Sequence, residues 1–252
     1  MGSSSGVVVA TESSRPAFYA LRSGGWRDYI TLLHAPYTAW HLSYVAIGAA
    51  LSAEFTVSRL WPTLLAFGLA VGIGAHALDE LNGRPLNTQI PTRVLVGLAA
   101  FSIASAVAIG IVGAITVDPW LTAFVVAGAF IVVAYNLEWF GGRFHGDFWF
   151  PLAWGAFPLV TAYFAVAGKI DGTVVAGAVF AFAASLAQRR LSTQVRDVRR
   201  RVRSVTGTVE RRDGTSQPIR AEDLMEAEEG GLEALTVAIV ALAAALVMMR
   251  LW

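Results

Sequence analysis

The residues that could do chemistry gather at the ends of apolar segments. The stretch GIGAHALDELNGRPL carries His76, Asp79 and Glu80, at i, i+3 and i+4, so one helix face presents all three. The stretch AYNLEWFGGRFHGDFW adds Asn136, Glu138, His145 and Asp147, and His41 stands about one turn inside an earlier apolar segment. Ionisable groups in such places are costly and mark function by default. His, Asp and Glu converging from several helices is how bundles build nitrogen- and oxygen-ligated metal sites. The candidate metal ligands are therefore His41, His76, Asp79, Glu80, Glu138 and His145, with Asp79, Glu80 and Glu138 as candidate catalytic carboxylates. Arg84, Arg143, Arg189 and Arg190 fall on the same side as these groups, and Arg binds phosphate bidentately. With Asn136 they are the candidate substrate-binding residues. The same residues would also serve as helix-end caps and as an ordinary positive-inside bias. His34, just before Pro36, fits that plainer role best.

The elements that must position them are apolar helices. Of 252 residues, 56% are hydrophobic and only 15% charged, against roughly 25% charged in a soluble domain. Mean hydropathy is +0.58. A transmembrane helix needs about 20 apolar residues. Seven segments qualify: about 38–55, 60–78, 94–116, 119–137, 148–167, 172–189 and 231–251. The expected fold is an all-α polytopic bundle. A disordered tail over 1–16 precedes a membrane bundle over 17–190, whose first part, 17–35, is an interfacial segment. A basic-then-acidic loop over 191–230 and a last helix over 231–252 complete the chain. Within the loop, SVTGTVERRDGTSQPI reads as a hairpin turning at Asp213-Gly214.

Arginine placement orients the bundle. Arg84, Arg93, Arg143 and the arginine run from Arg189 to Arg220 share one side with the N-terminus, and the other holds little beyond Arg59 and Lys169. The expectation is a multi-pass cell-membrane protein with a cytoplasmic N-terminus and active face. Its basic loop would meet anionic inner-leaflet lipids. A net charge of +1 gives no reason to expect nucleic acid, and the absence of cysteine excludes disulfides, thiolate ligands and a Cys nucleophile. Residues 1–14 lack the basic start and apolar core of a signal peptide.

The stretch AHALDELNGRPLNTQIPTRVLVGL resembles the UbiA superfamily of membrane prenyltransferases. In that family an aspartate-rich motif at the cytoplasmic end of the second helix precedes an Arg-Pro pair. Asp79 matches the motif's central aspartate and Arg84-Pro85 the pair. The stretch YNLEWFGGRFHGDFWFPLAWGAFPLVTAYF is similar to the region between that family's fourth and fifth helices. The motif Asn-x-x-x-Asp-x-x-x-Asp reads Ala75, Asp79 and Gly83 here. The second motif is replaced by AQRRLSTQVRDVRRR, leaving Asp197. The family usually has nine spans.

The resemblance implies an enzyme acting on an isoprenoid or other lipid, with magnesium held by aspartates on a diphosphate. Histidine suits iron or zinc better than magnesium. A His-ligated oxidoreductase or hydrolase on the same scaffold is thus the alternative, and a non-catalytic lipid-binding or transport protein the third.

Overall fold

The computed structural model describes residues 16–252, so the expected tail, but for Pro16, lies outside the described residues. The chain is mostly helical with little sheet. Eight helices organise it: α1 (Trp26–Leu32), α2 (Ala35–Leu51), α3 (Val57–Leu81), α4 (Thr92–Thr116), α5 (Leu121–Asn136), α6 (Trp149–Ala167), α7 (Gly172–Arg201) and α8 (Glu226–Leu251). Five of them, α3, α4, α6, α7 and α8, are long and apolar enough to cross a membrane. The segments expected at 38–55 and 119–137 form helices of 17 and 16 residues, shorter than the roughly 20 of a typical crossing.

The bundle is centred on α2, which packs against α6 and α8. Close approach is set by missing side chains. A Cβ on Gly48 would sit 2.1 Å from the Leu159 carbonyl oxygen, and one on Gly155 2.6 Å from that of Ala181. Small residues let backbones meet where no water drives association.

Two helices are locally π-helical, α3 over Gly68–Ala75 and α6 over Leu152–Ala156. Such segments concentrate at functional sites. The first ends at His76 and the second contains Trp154.

Beyond the apolar region α7 continues to Arg201, as the amphipathic basic stretch STQVRDVRRRV suggests for a helix running on from the apolar span. Its extension packs on the start of α8 through Val195, Val198, Met225 and Leu232. Arg199 donates to Glu229 through Nε (2.6 Å) and an Nη (2.9 Å), which joins the basic half of this region to the acidic half. Between them β1 (Thr208–Glu210) and β2 (Ser216–Pro218) form the antiparallel hairpin, with Gly214 at φ +84° in its turn.

Candidate functional site

A polar cavity of about 490 Å³ opens at the arginine-rich end of the bundle. Its walls carry His34, His41, His76, Asp79, Asn136, Glu138, His145, Gln188 and Arg189, together with Arg196, Arg200 and Arg201 from the α7 extension. Of the residues singled out from sequence, His41, His76, Asp79, Asn136, Glu138, His145 and Arg189 line it, and Glu80, Arg84, Arg143 and Arg190 do not.

Three histidines show one pattern. Nδ1 of His41 donates to the Trp154 carbonyl (2.7 Å), that of His76 to Gly72 (3.1 Å) and that of His145 to Tyr135 (3.1 Å). A carbonyl only accepts, so the proton sits on Nδ1 and the neutral ring keeps its lone pair on Nε2. The His145 ring also stacks on Tyr135, centroids 4.4 Å apart. His34, in the left-handed region at φ +45°, lies against His76. Burial, then the neighbouring His76 and the charges of Arg200 and Arg196, holds the His34 imidazole well below its ordinary pKa.

The carboxylates divide. Asp79 faces the cavity and, among the described residues, accepts no hydrogen bond and forms no ion pair. Glu80 does not reach the cavity. It is 1% exposed, and its carboxylate accepts from Thr88 N and Oγ1 (both 2.8 Å) and from Leu86 N (3.0 Å). The reason is angular: consecutive helical residues point about 100° apart. With Asp79 turned inward, Glu80 turns to the loop over 82–91. Glu138 lines the rim, exposed, at φ +50°.

The arginines divide as well. Arg189 is held in the wall, with Nε on Asp147 (2.6 Å), an Nη on the Tyr135 hydroxyl (3.1 Å) and its guanidinium 5.4 Å from the Phe150 ring centroid. That bond from Arg189 keeps the exposed Asp147 carboxyl below the usual range. Arg84 instead braces the loop, donating to the carbonyls of Ile90 (2.6 Å) and Thr88 (3.3 Å) and to Thr92 Oγ1 (3.1 Å). Arg143 and Arg190 are exposed and outside the cavity wall.

Sequence reasoning missed Arg196 and Arg200, which fall one face down from Arg189 at i+7 and i+11. The i+7 and i+11 spacing is legible in STQVRDVRRRV as one face of a basic helix, although nothing in the sequence turns that face toward the cavity. It also missed Asp28, 3% exposed, which takes Gly24 N and Gln89 N (both 2.8 Å) and ties the N-terminal segment to the loop.

A second, apolar groove of about 550 Å³ runs among α3, α4, α5 and α6. Val71 and Trp154 belong to the walls of both spaces. From Val71 to Ser58 the groove follows about 20 Å of α3 at 1.5 Å per residue.

No protein-family model, no curated protein and no solved structure matches this chain.

A divalent ion needs more than this donor set offers. Magnesium takes oxygen ligands, usually one or two carboxylates completed by waters and phosphates. Among the described residues no group of three or more His, Asp or Glu could hold a metal ion. Asp79 is the inward carboxylate without a hydrogen bond, and Glu80 is consumed by the loop. These residues do not make a protein-built divalent site. The positive charge opposite Asp79 comes from arginine.

Proposed function

We propose that the chain is a divergent UbiA-like membrane enzyme that binds an isoprenoid or similar lipid by a phosphate-bearing head at the cytoplasmic face. In this reading all seven apolar helices are embedded, with the N-terminus and the arginine-rich cavity inside, as the positive-inside bias favours. One observation carries it: a polar chamber edged by Arg189, Arg196 and Arg200 shares the Val71–Trp154 wall with an apolar groove. An amphiphile with an anionic head and a long tail matches both spaces at once.

The reaction is cleavage of the allylic carbon–oxygen bond, whose electron pair leaves on the diphosphate while the carbon is taken by a nucleophile. The arginines stabilise charge growing on the phosphate oxygens, in a site already organised to receive it. Asp79 faces the developing cation. The aromatic walls, Phe150 and Trp154, exclude water from it.

The test is binding of geranylgeranyl diphosphate to the full chain in nanodiscs, read by calorimetry, followed by product analysis with a nucleophile panel. Saturable binding that is weakened by Arg196→Ala supports the reading. No binding to wild type, with or without magnesium, overturns it.

A second reading draws on the histidine pattern. Metal-ligating His usually donates its other nitrogen to a carbonyl or carboxylate, as His41, His76 and His145 do here. A His-ligated iron or zinc oxidoreductase or hydrolase would need these rings brought closer together, whereas the first reading uses the cavity as it stands. Near-stoichiometric iron or zinc in purified protein would favour the second.

A further inference from the structure

Residues 16–19, ahead of the first helix, form part of the chamber wall. The chain just behind them is pinned. Leu21 N donates to Thr31 Oγ1 (3.0 Å), Ser23 Oγ to the Asn87 carbonyl (3.3 Å) and Gly24 N to Asp28 Oδ1 (2.8 Å). It turns at Gly24 and Gly25, with φ +119° and +65°, a backbone that glycine adopts without strain. Ahead of this anchor Tyr19 is placed by its ring alone, edge-on to Tyr37 at 5.6 Å and tilted against His34 at 5.3 Å. Tyr37 packs in turn on the cluster that joins α7 to α8. The result is a short strap, tied at 21–24 and resting on rings at the chamber.

The Tyr19 phenol is a donor with nothing to donate to. Tyr19 is half-buried, and among the described residues its Oη makes no hydrogen bond. Nor is that oxygen sealed off, since Gln188 Oε1 alone is both buried and unpartnered there. Burial, then Tyr37, holds the phenol pKa far above its ordinary value, so the proton stays on Oη, and the charges of Arg200, Asp79 and Arg196 act on it. Arg200 lines the same chamber and, among the described residues, forms neither a hydrogen bond nor an ion pair. Three carboxylates share the wall. Asp79 and Glu138 accept from neither donor, and Asp197 takes Arg201 instead. An anion with oxygens on several sides is an acceptor for phenol and guanidinium together, and a phosphate is such an anion.

We propose that Tyr19 is a substrate contact carried on this strap, its Oη donating to the phosphate head that Arg196 and Arg200 hold. The proposal rests on the phosphate reading and adds to it a neutral donor from outside the helical bundle. It also couples occupancy to closure, because a bond from the head to Tyr19 fixes the one part of the strap that no hydrogen bond from its side chain now holds.

The test is binding of two probes, inorganic diphosphate and geranylgeranyl diphosphate, to the full chain in nanodiscs, read by calorimetry, with amide exchange over residues 17–20 followed by mass spectrometry. Tyr19→Phe keeps the ring against His34 and Tyr37 and removes only the O–H. It should weaken both probes about tenfold, the scale of one hydrogen bond to a charged group, with thermal stability unchanged. Tyr29→Phe, exposed on α1 and outside the chamber wall, should change affinity by less than about twofold. Each probe should slow exchange over the strap in wild type and leave it fast in Tyr19→Phe. Wild-type affinity in Tyr19→Phe, with or without a loss in Tyr19→Ala, overturns the proposal, since only the ring then matters. So does a wild-type strap whose exchange ignores both probes. If Arg196→Ala still weakens the lipid diphosphate in either case, the proposed function stands without the Tyr19 contact. If inorganic diphosphate binds through Tyr19 while the lipid diphosphate does not bind, the contact stands and the lipid reading falls. If neither probe binds wild type, both fall.

Discussion

The imidazole of His34 lies nearly parallel on that of His76, centroids 4.1 Å apart and planes at 18°. The contact joins the segment before α2 to the inner face of α3. Tyr19 and Tyr37 close over the pair, with ring centroids 5.3 and 6.4 Å from His34. Arg196 and Arg200 stand near enough to oppose a charge on it.

That stack makes stability depend on pH in a definite direction. The His34 pKa is depressed in the folded chain, mainly by burial and then by His76, Arg200 and Arg196, so the unfolded chain takes up the proton first. The stabilising contribution is complete above the ordinary histidine pKa of about 6.5 and is lost as pH falls below it. Thermal unfolding of wild type should therefore weaken between pH 7 and pH 5 more than that of His34→Phe, which keeps a stacking ring and has nothing to protonate. Parallel pH profiles for the two proteins would count against the stack as described.

Asp79 and Glu80 are adjacent in sequence and opposite in role. Glu80→Ala removes the acceptor of two backbone N–H groups and a hydroxyl in a loop where Leu86 and Thr88 are buried. Each buried donor left unpaired costs about 1–3 kcal/mol, so the variant should lose at least ~2 kcal/mol in a denaturation series. Asp79→Ala should hold stability and lower turnover without weakening diphosphate binding, since the carboxylate faces the developing cation and not the phosphate oxygens. If the two variants exchanged these phenotypes, the assignment of facing directions would be wrong.

The arginines sort the same way. Arg196→Ala and Arg200→Ala should each weaken diphosphate binding by about tenfold, at the scale of one charge-assisted hydrogen bond of roughly 1.5 kcal/mol. Arg190→Ala, outside the cavity, should change it by less than twofold. Arg84→Ala should loosen the loop over 82–91, seen as faster amide exchange at Thr88 and Ile90, with a smaller effect on affinity.

Arg199 and Glu229 form a bidentate pair whose side chains are 13% and 18% exposed. Glu229→Ala removes two charge-assisted hydrogen bonds between the α7 extension and the start of α8, each worth about 1.5 kcal/mol. It should lower the unfolding midpoint accordingly and speed amide exchange in the hairpin between the two helices; an unchanged midpoint would show that the pair does not hold them together.

Much of the architecture was legible because it follows from periodicity and solvent. The long apolar runs became helices, Asp213-Gly214 turned a hairpin, and the basic and acidic stretches met at Arg199 and Glu229. What was not legible depended on tertiary geometry. Helical spacing placed His76, Asp79 and Glu80 on one broad face, but only packing decides where on that face the cavity edge falls. Arg84 looked like a phosphate ligand by motif and proved to be a loop brace, because the left-handed backbone at Gly83, Arg84 and Asn87 folds the loop back under its guanidinium. Two π-helical segments carried no sequence signal, yet they hold the carbonyl of Trp154 against His41 and deliver His76 to the chamber.

The central claim is that one amphiphile spans the chamber and the groove. A geranylgeranyl diphosphate bearing a photoreactive group at its tail terminus tests this most directly, with adducts mapped by mass spectrometry. Labelling should fall on groove residues such as Ile109, Val125 and Phe157. It should be competed by unlabelled diphosphate and fade in the Arg196→Ala, Arg200→Ala double variant. Adducts scattered over outward residues such as Phe101 and Ile115, unaffected by competitor or by the arginine substitutions, would contradict it.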